Sequence, residues 1–231
     1  MSSGKEITLV LDTSGSPLLA AASDGKKSAS ARRKGVKQER LLFPAVERVL
    51  GKLGAFLPDV KKVFVIRGPG RFTGIRISLT FASMMQALNG ALPCGATMFE
   101  VIYKQASESK RFTVWKAQNP QGVLAVVLHA FREEYFLQFF DSEDSAPVWL
   151  SRKELLEKLA SYDKPLFVAG SDKDGFPLDE ILDGKYAQAA DEDCAVRPAT
   201  LLAMAQNQKY MQNALEPLYL KPARFELTEP K

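Results

Sequence analysis

One histidine, His129, and two cysteines, Cys94 and Cys194, are all the imidazole and thiol that 231 residues contain. A two-histidine metal site cannot be built within such a chain, nor a Cys-His-Cys-Cys site. The two cysteines are far apart in sequence and form no ligand cluster, and their scarcity fits a reduced, cytoplasmic compartment. No apolar run approaches the about 20 residues that a bilayer span requires. The opening residues, Met1 to Glu6, lack the apolar region of a signal peptide. Nucleophilic catalysis by a Ser-His pair is disfavoured, because His129 has no flanking serine motif. The carboxylates are scattered over expected helices and turns, with no paired constellation for hydrolysis.

What is present is ordinary for a folded domain: 46% hydrophobic and 25% charged residues, with a net charge of +4. The length allows one large domain or two lobes of roughly 110 residues each. The basic excess is local. Residues 26–37 carry Lys26, Lys27, Arg32, Arg33, Lys34 and Lys37 with no acid and no aromatic. Two readings are open: a solvated hairpin, or an arm that meets nucleic-acid phosphates without reading bases.

Apolar runs mark strands at residues 7–11, 17–23 and 60–66, and the basic segment is a candidate third strand. From Glu39 to Leu53, Leu42, Val46, Val49 and Leu53 recur at four-three-four spacing on one helix face. From Ile75 to Leu88, Ile77, Phe81, Met84 and Leu88 repeat it, and Asn89-Gly90 closes that helix. Ile75, Leu79, Ala82 and Met85 lie outside this stripe, so the helix is apolar on more than one face. It is either a doubly buried core helix or a helix that offers a face to a partner. In the second half, residues 124–128 and 135–140 read as a hairpin turning at residues 131–134. Ser151 with Glu154 reads as a capping box. Residues 166–170 read as a buried strand, and Arg197-Pro198-Ala199-Thr200 introduces an apolar helix through Met204. Gly170-Ser171-Asp172 is a faint second acidic turn, and the tail from Pro222 reads as flexible.

Between strand 60–66 and the second helix stands Arg67-Gly68-Pro69-Gly70-Arg71-Phe72-Thr73-Gly74-Ile75-Arg76. Three glycines and a proline make a tight corner, either purely structural or leaving N–H groups bare at a helix N-terminus. It is no Walker loop, since Gly74 is followed by Ile75 and not by Lys-Ser/Thr. The string Gly-Pro-Gly-x-Phe-Thr-Gly-x-Arg resembles the signature of the TsaB (YeaZ) family. Further matches follow in family order: residues 7–14 ending in Asp12-Thr13-Ser14, residues 39–44, and Glu216-Pro217-Leu218-Tyr219-Leu220-Lys221. Departures are Arg71, where a small residue is usual, and His129 with Glu133 or Glu134 in the hairpin.

The resemblance implies an α/β actin-like ATPase (ASKHA, ribonuclease H-like) fold of two lobes, the second reduced, divided as residues 1–105 and 106–231. It implies a non-catalytic, glycoprotease-like subunit of the tRNA N6-threonylcarbamoyladenosine modification complex. Its expected partners are the catalytic TsaD paralogue, a TsaE-type ATPase and, through the complex, tRNA, with a homodimer when alone. The histidine pair by which TsaD holds metal is replaced here by Lys37-Gln38-Glu39-Arg40. ATP and magnesium are expected to serve the complex, with none held firmly by this chain. The expected interface is Leu42, Val46, Val49, Leu53, Gly68, Gly70, Phe72, Thr73, Arg76, Ile77, Phe81, Met84, Met85 and Leu88. Asp12, Thr13 and Ser14 are candidate nucleotide contacts, or else an Asx-type turn closing on itself. Lys26, Lys27, Arg32, Arg33 and Lys34 are candidate tRNA contacts. A rival reading is a stand-alone ATPase or kinase in which Asp12 holds magnesium–ATP. A peptidase lacks a nucleophile–base pair or metal set.

Overall fold

A computed structural model describes residues 4–35, 37–141, 145–171, 178–211 and 214–221. In chain order, β1 (Ile7–Asp12), β2 (Leu18–Ser23) and β3 (Ser28–Arg33) lead into α1 (Gln38–Lys52), β4 (Val60–Ile66), α2 (Phe72–Asn89) and β5 (Leu92–Ala96). Next come α3 (Met98–Ser107), α4 (Lys110–Gln118), β6 (Val123–Phe131), β7 (Glu134–Phe140), β8 (Val148–Ser151) and α5 (Arg152–Ala160). The chain continues through β9 (Leu166–Ser171), α6 (Leu178–Leu182), β10 (Ala187–Gln188), α7 (Asp191–Cys194) and α8 (Pro198–Met204). Of the residues singled out in the sequence, Asp172 of the Gly170-Ser171-Asp172 turn and the tail from Pro222 lie outside the described residues.

These elements sort into two units, Met1–Met98 with Arg197–Leu218, and Phe99–Val196 with Tyr219–Lys231. The division expected at residue 105 therefore shifts to residue 98, and residues 197–218 return to the first unit. Side-chain contacts explain the return. Tyr210 packs edge-on against Phe64 of β4 at 6.0 Å, and Gln206 donates to Thr8 Oγ1 of β1 at 3.2 Å. In α8, Leu201 and Met204 are buried.

The first unit's sheet has the order β3-β2-β1-β4-β5. β1 runs antiparallel to β2 and parallel to β4, with Leu9 opposite Ala22 and Val63, and Leu11 opposite Ala20 and Val65. Those residues form one face of the sheet and share a core with Leu42, Val46 and Val49 of α1 and Ile75, Leu79 and Met85 of α2. The other face of β1 and β4 is also covered: Val10 and Phe64 are fully buried. Burial on both faces explains why these strands read as continuous apolar runs. The second helix closes as expected, with Gly90 left-handed at φ 70° and its N–H on the Gln86 carbonyl.

In the second unit the order is β10-β9-β6-β7-β8. β6 runs antiparallel to β7 and parallel to β9. Outward from β1 and from β6, the two sheets follow one plan: two antiparallel strands on one side, two parallel strands on the other. The helices differ in size. α5 has 9 residues where α1 has 15, and α6 has 5 where α2 has 18. This is the expected α/β, actin-like architecture, its second lobe reduced. The Ser151–Glu154 capping box is present at the start of α5, and β6 and β7 form the expected hairpin. No described helix is long and apolar enough to cross a membrane.

Candidate protein-docking site

The glycine corner owes its composition to three close approaches. Gly68 has φ +120°, a backbone that side chains rarely adopt, and a Cβ there would lie 2.5 Å from the Leu218 carbonyl oxygen. A Cβ on Gly70 would stand 2.6 Å from the Ser14 carbonyl oxygen, and one on Gly74 only 1.9 Å from that of Thr13. The first turn of α2 is thus pressed onto the turn after β1. Hydrogen bonds fasten it: Arg71 N–H donates to the Ser14 carbonyl at 2.7 Å, and the Thr13 hydroxyl donates to the Gly74 carbonyl at 2.6 Å. From α1, the Gln38 side-chain amide donates to the Gly15 carbonyl. The closing residues complete the lock, with Leu218 N–H on the Arg67 carbonyl and Arg67 Nη1 on the Glu216 carbonyl, both at 2.8 Å. The motif's glycines act as contact surfaces, and the Arg71 N–H that an anion might have used is taken.

The same packing surrounds Asp12. Its Oδ1 accepts from Ser14 N–H at 2.9 Å and from the Ser14 hydroxyl at 2.6 Å, which is the Asx-type turn. Burial pushes the Asp12 carboxyl above its ordinary range, opposed by those bonds and by the charge of Arg32. Thr13 and Ser14 are buried as well.

Between α1 and α2 runs an open groove of about 420 Å³. Phe43, Phe72, Ile77, Phe81 and Met84 wall it, with Glu39 and Arg76 among its polar lining. Phe43 meets Phe81 edge-on at 5.6 Å, and the Arg76 guanidinium lies 3.8 Å over the Phe72 ring. Phe43 and Phe72 are 43% and 51% exposed, and Leu88, further along α2, is 76% exposed. A water-facing apolar stripe of this kind on an otherwise well-packed unit suits a protein surface better than a small polar ligand.

The expected interface is divided by this geometry. Phe72, Thr73 and Arg76 are exposed and Ile77 and Met84 half-buried, all lining the groove, and Leu88 continues their stripe. Gly68 and Gly70 build the corner. Val46 and Val49 are wholly buried, and Leu53 and Met85 are buried with them in the unit's own core. Leu42 and Phe81 are also core residues whose edges form the groove floor. The α1 stripe therefore faces its own sheet, and α1 reaches the groove through Glu39 and Phe43. Sequence reasoning missed Glu39, Phe43 and Thr80. The available signal was a phenylalanine standing one place off the α1 stripe. Elsewhere, Lys26, Lys27, Arg32 and Lys34 are exposed and Arg33 half-buried, on or beside β3. His129 sits at the irregular end of the hairpin, its Nε2 2.6 Å from the Arg132 carbonyl.

No family model matches the chain. It is 25% identical over 142 residues, 59% of its length, to the tRNA threonylcarbamoyladenosine biosynthesis protein TsaB of Buchnera aphidicola subsp. Baizongia pistaciae (strain Bp). The match spans 61% of that curated relative, less than two thirds of it. YeaZ from Pseudomonas aeruginosa has the same fold, with a TM-score of 0.63 at 20% identity, covering 95% of this chain and all of that one. The chain is similar in sequence to a TsaB protein and shares the YeaZ fold. A second solved structure, described as an uncharacterized protein with similarity to peptidase YeaZ from Pseudomonas aeruginosa, superposes equally well over 96% of the chain. In this fold the corner and the groove are neighbours by construction: the corner fixes where α2 starts, and the groove lies along its outer side.

Proposed function

We infer that the chain is a non-catalytic subunit of the machinery that makes N6-threonylcarbamoyladenosine at position 37 of tRNA, and that its α1–α2 groove binds the catalytic TsaD paralogue. The observation that carries this reading is the groove. Large apolar side chains stand in water beside the family's signature corner, and Met84 can repack against a foreign surface. Glu39 and Arg76 supply the polar groups that a partner rim needs. Covering Phe43, Phe72, Met84 and Leu88 would remove apolar area from water at about 25 cal/mol per Å² before association costs. In this reading ATP, magnesium, the TsaE-type ATPase and the transfer step belong to the assembled complex. Two copies of the chain pair through the same groove when the paralogue is absent.

Reconstitution with the cognate paralogue, ATPase, the enzyme that forms the threonylcarbamoyl adenylate and tRNA tests it. Omitting this chain is expected to leave the nucleoside unmodified by mass spectrometry. Full modification in its absence would dismiss the role.

A further inference from the structure

We propose that the β2–β3 ribbon is a docking surface for a double-stranded stretch of folded RNA. β3 is the outermost strand of the first sheet, so its outer backbone edge pairs with no described strand. Lys26 and Lys27 stand at one end of it, on the turn from β2, and Lys34 at the other. Lys27 and Lys34 are at most about 23 Å apart, seven residue steps at about 3.3 Å. Among the described residues none of these three cations enters an ion pair. Asp24, before the turn, spends its carboxylate on the backbone N–H groups of Lys26 and Lys27, at 2.9 and 2.7 Å.

Between the basic ends the strand is slim. Ala29 and Ala31 pack toward the core, which turns Ser28 and Ser30 outward, both exposed. The A-form duplex offers a wide, shallow minor groove lined by 2′-hydroxyls and bordered by two phosphate strands. A thin ribbon with hydroxyls at its middle and cations at its ends matches that surface. Its lack of aromatic side chains excludes stacking on unpaired bases and implies recognition by shape. The partner's chemistry follows from the charge, and the choice of RNA over other polyanions rests on the functional reading above.

The whole chain, alone, would be titrated with a fluorescent RNA hairpin, a DNA hairpin of the same sequence and polyglutamate over a salt series. We expect the RNA hairpin to bind most tightly. Lys26→Ser, Lys27→Ser and Lys34→Ser together are expected to weaken it about tenfold and to flatten the salt slope by about 2. Ser28→Ala with Ser30→Ala should erase the preference for RNA over DNA. Equal binding by polyglutamate would assign the surface to an acidic protein and overturn the proposal. So would a triple variant that aggregates while binding RNA unchanged, because the cations would then only guard an open sheet edge. These measurements involve no paralogue, so failure here leaves the groove reading standing, and failure of the groove leaves this one.

Discussion

The two units lay strands in the same order but hold their helices differently. In the first, α1 begins at Lys37 with no side-chain cap and is kept by six buried residues along 15. In the second, α5 buries only Leu155 and Leu159 along 9 residues and is kept by the Ser151–Glu154 box. Long helices fixed by burial can afford a second, water-facing apolar side, and the first unit has one in its groove. A short helix fixed by its cap has no surface to spare. Interaction surface has accumulated where the helices were long enough to carry two faces.

The sharpest way to break this comparison is to place one charge on each side of the first unit's helices. Val46→Asp puts a carboxylate where no solvent reaches, which costs roughly 5 kcal/mol, the size of a whole domain's stability. It is expected to unfold the unit, seen as lost cooperativity in urea. Met84→Lys, half-exposed in the groove wall, should change stability by less than about 0.5 kcal/mol. It is expected to abolish co-elution with the paralogue. Should Val46→Asp fold normally and lose only the partner, the division of α1 and α2 into inner and outer faces is wrong.

Periodicity told which residues share a face, and it found α1, α2 and the central strands without difficulty. It could not tell what covers the face. Leu42 through Leu53 form one stripe whether the cover is a sheet or a sister subunit, and only the tertiary fold shows Val46 and Val49 sealed in the first unit's own core, where α1 lies over β2 and β3. The glycine string was legible as a corner, but its cause lies in Thr13 and Ser14, some sixty residues away, beyond any local pattern. β5 was illegible for another reason. Pro93 and Gly95 argue against a strand, and they are tolerated because β5 is the sheet's edge. The two residues of β10 are too few to leave any signal.

Close approach offers a second, smaller test. Gly74→Ala sets a methyl 1.9 Å from the Thr13 carbonyl oxygen, and Gly170→Ala sets one 2.1 Å from that of Val127 in the second unit. Backbone must move in both, at a cost of about 3 kcal/mol each. Calorimetry is expected to show Gly74→Ala lowering the first unit's transition and Gly170→Ala the second's. If each substitution shifts both units equally, they do not stabilise themselves separately and the comparison loses its basis.

The smallest effect belongs to the cap of α5. The Ser151 hydroxyl accepts from the Glu154 N–H, while the Glu154 carboxylate accepts from the Ser151 hydroxyl and N–H at 2.6 and 2.8 Å. Hydrogen bonds from that hydroxyl and that N–H hold the Glu154 carboxyl below its ordinary 4.5. A carboxyl depressed in the folded state stabilises fully above its unfolded value and ceases to do so as pH falls through the folded one. Ser151→Ala should therefore cost about 1 kcal/mol at neutral pH through the lost cap, read as a lower urea midpoint for the second unit. It should also shrink that unit's loss of stability between neutral pH and the carboxyl range. An α1 variant, Lys37→Ala, has no such cap to lose, so it should leave the first unit's midpoint nearly unchanged at both pH values. A comparable drop there would mean that α1 too depends on its first turn, and that burial alone does not hold the long helices.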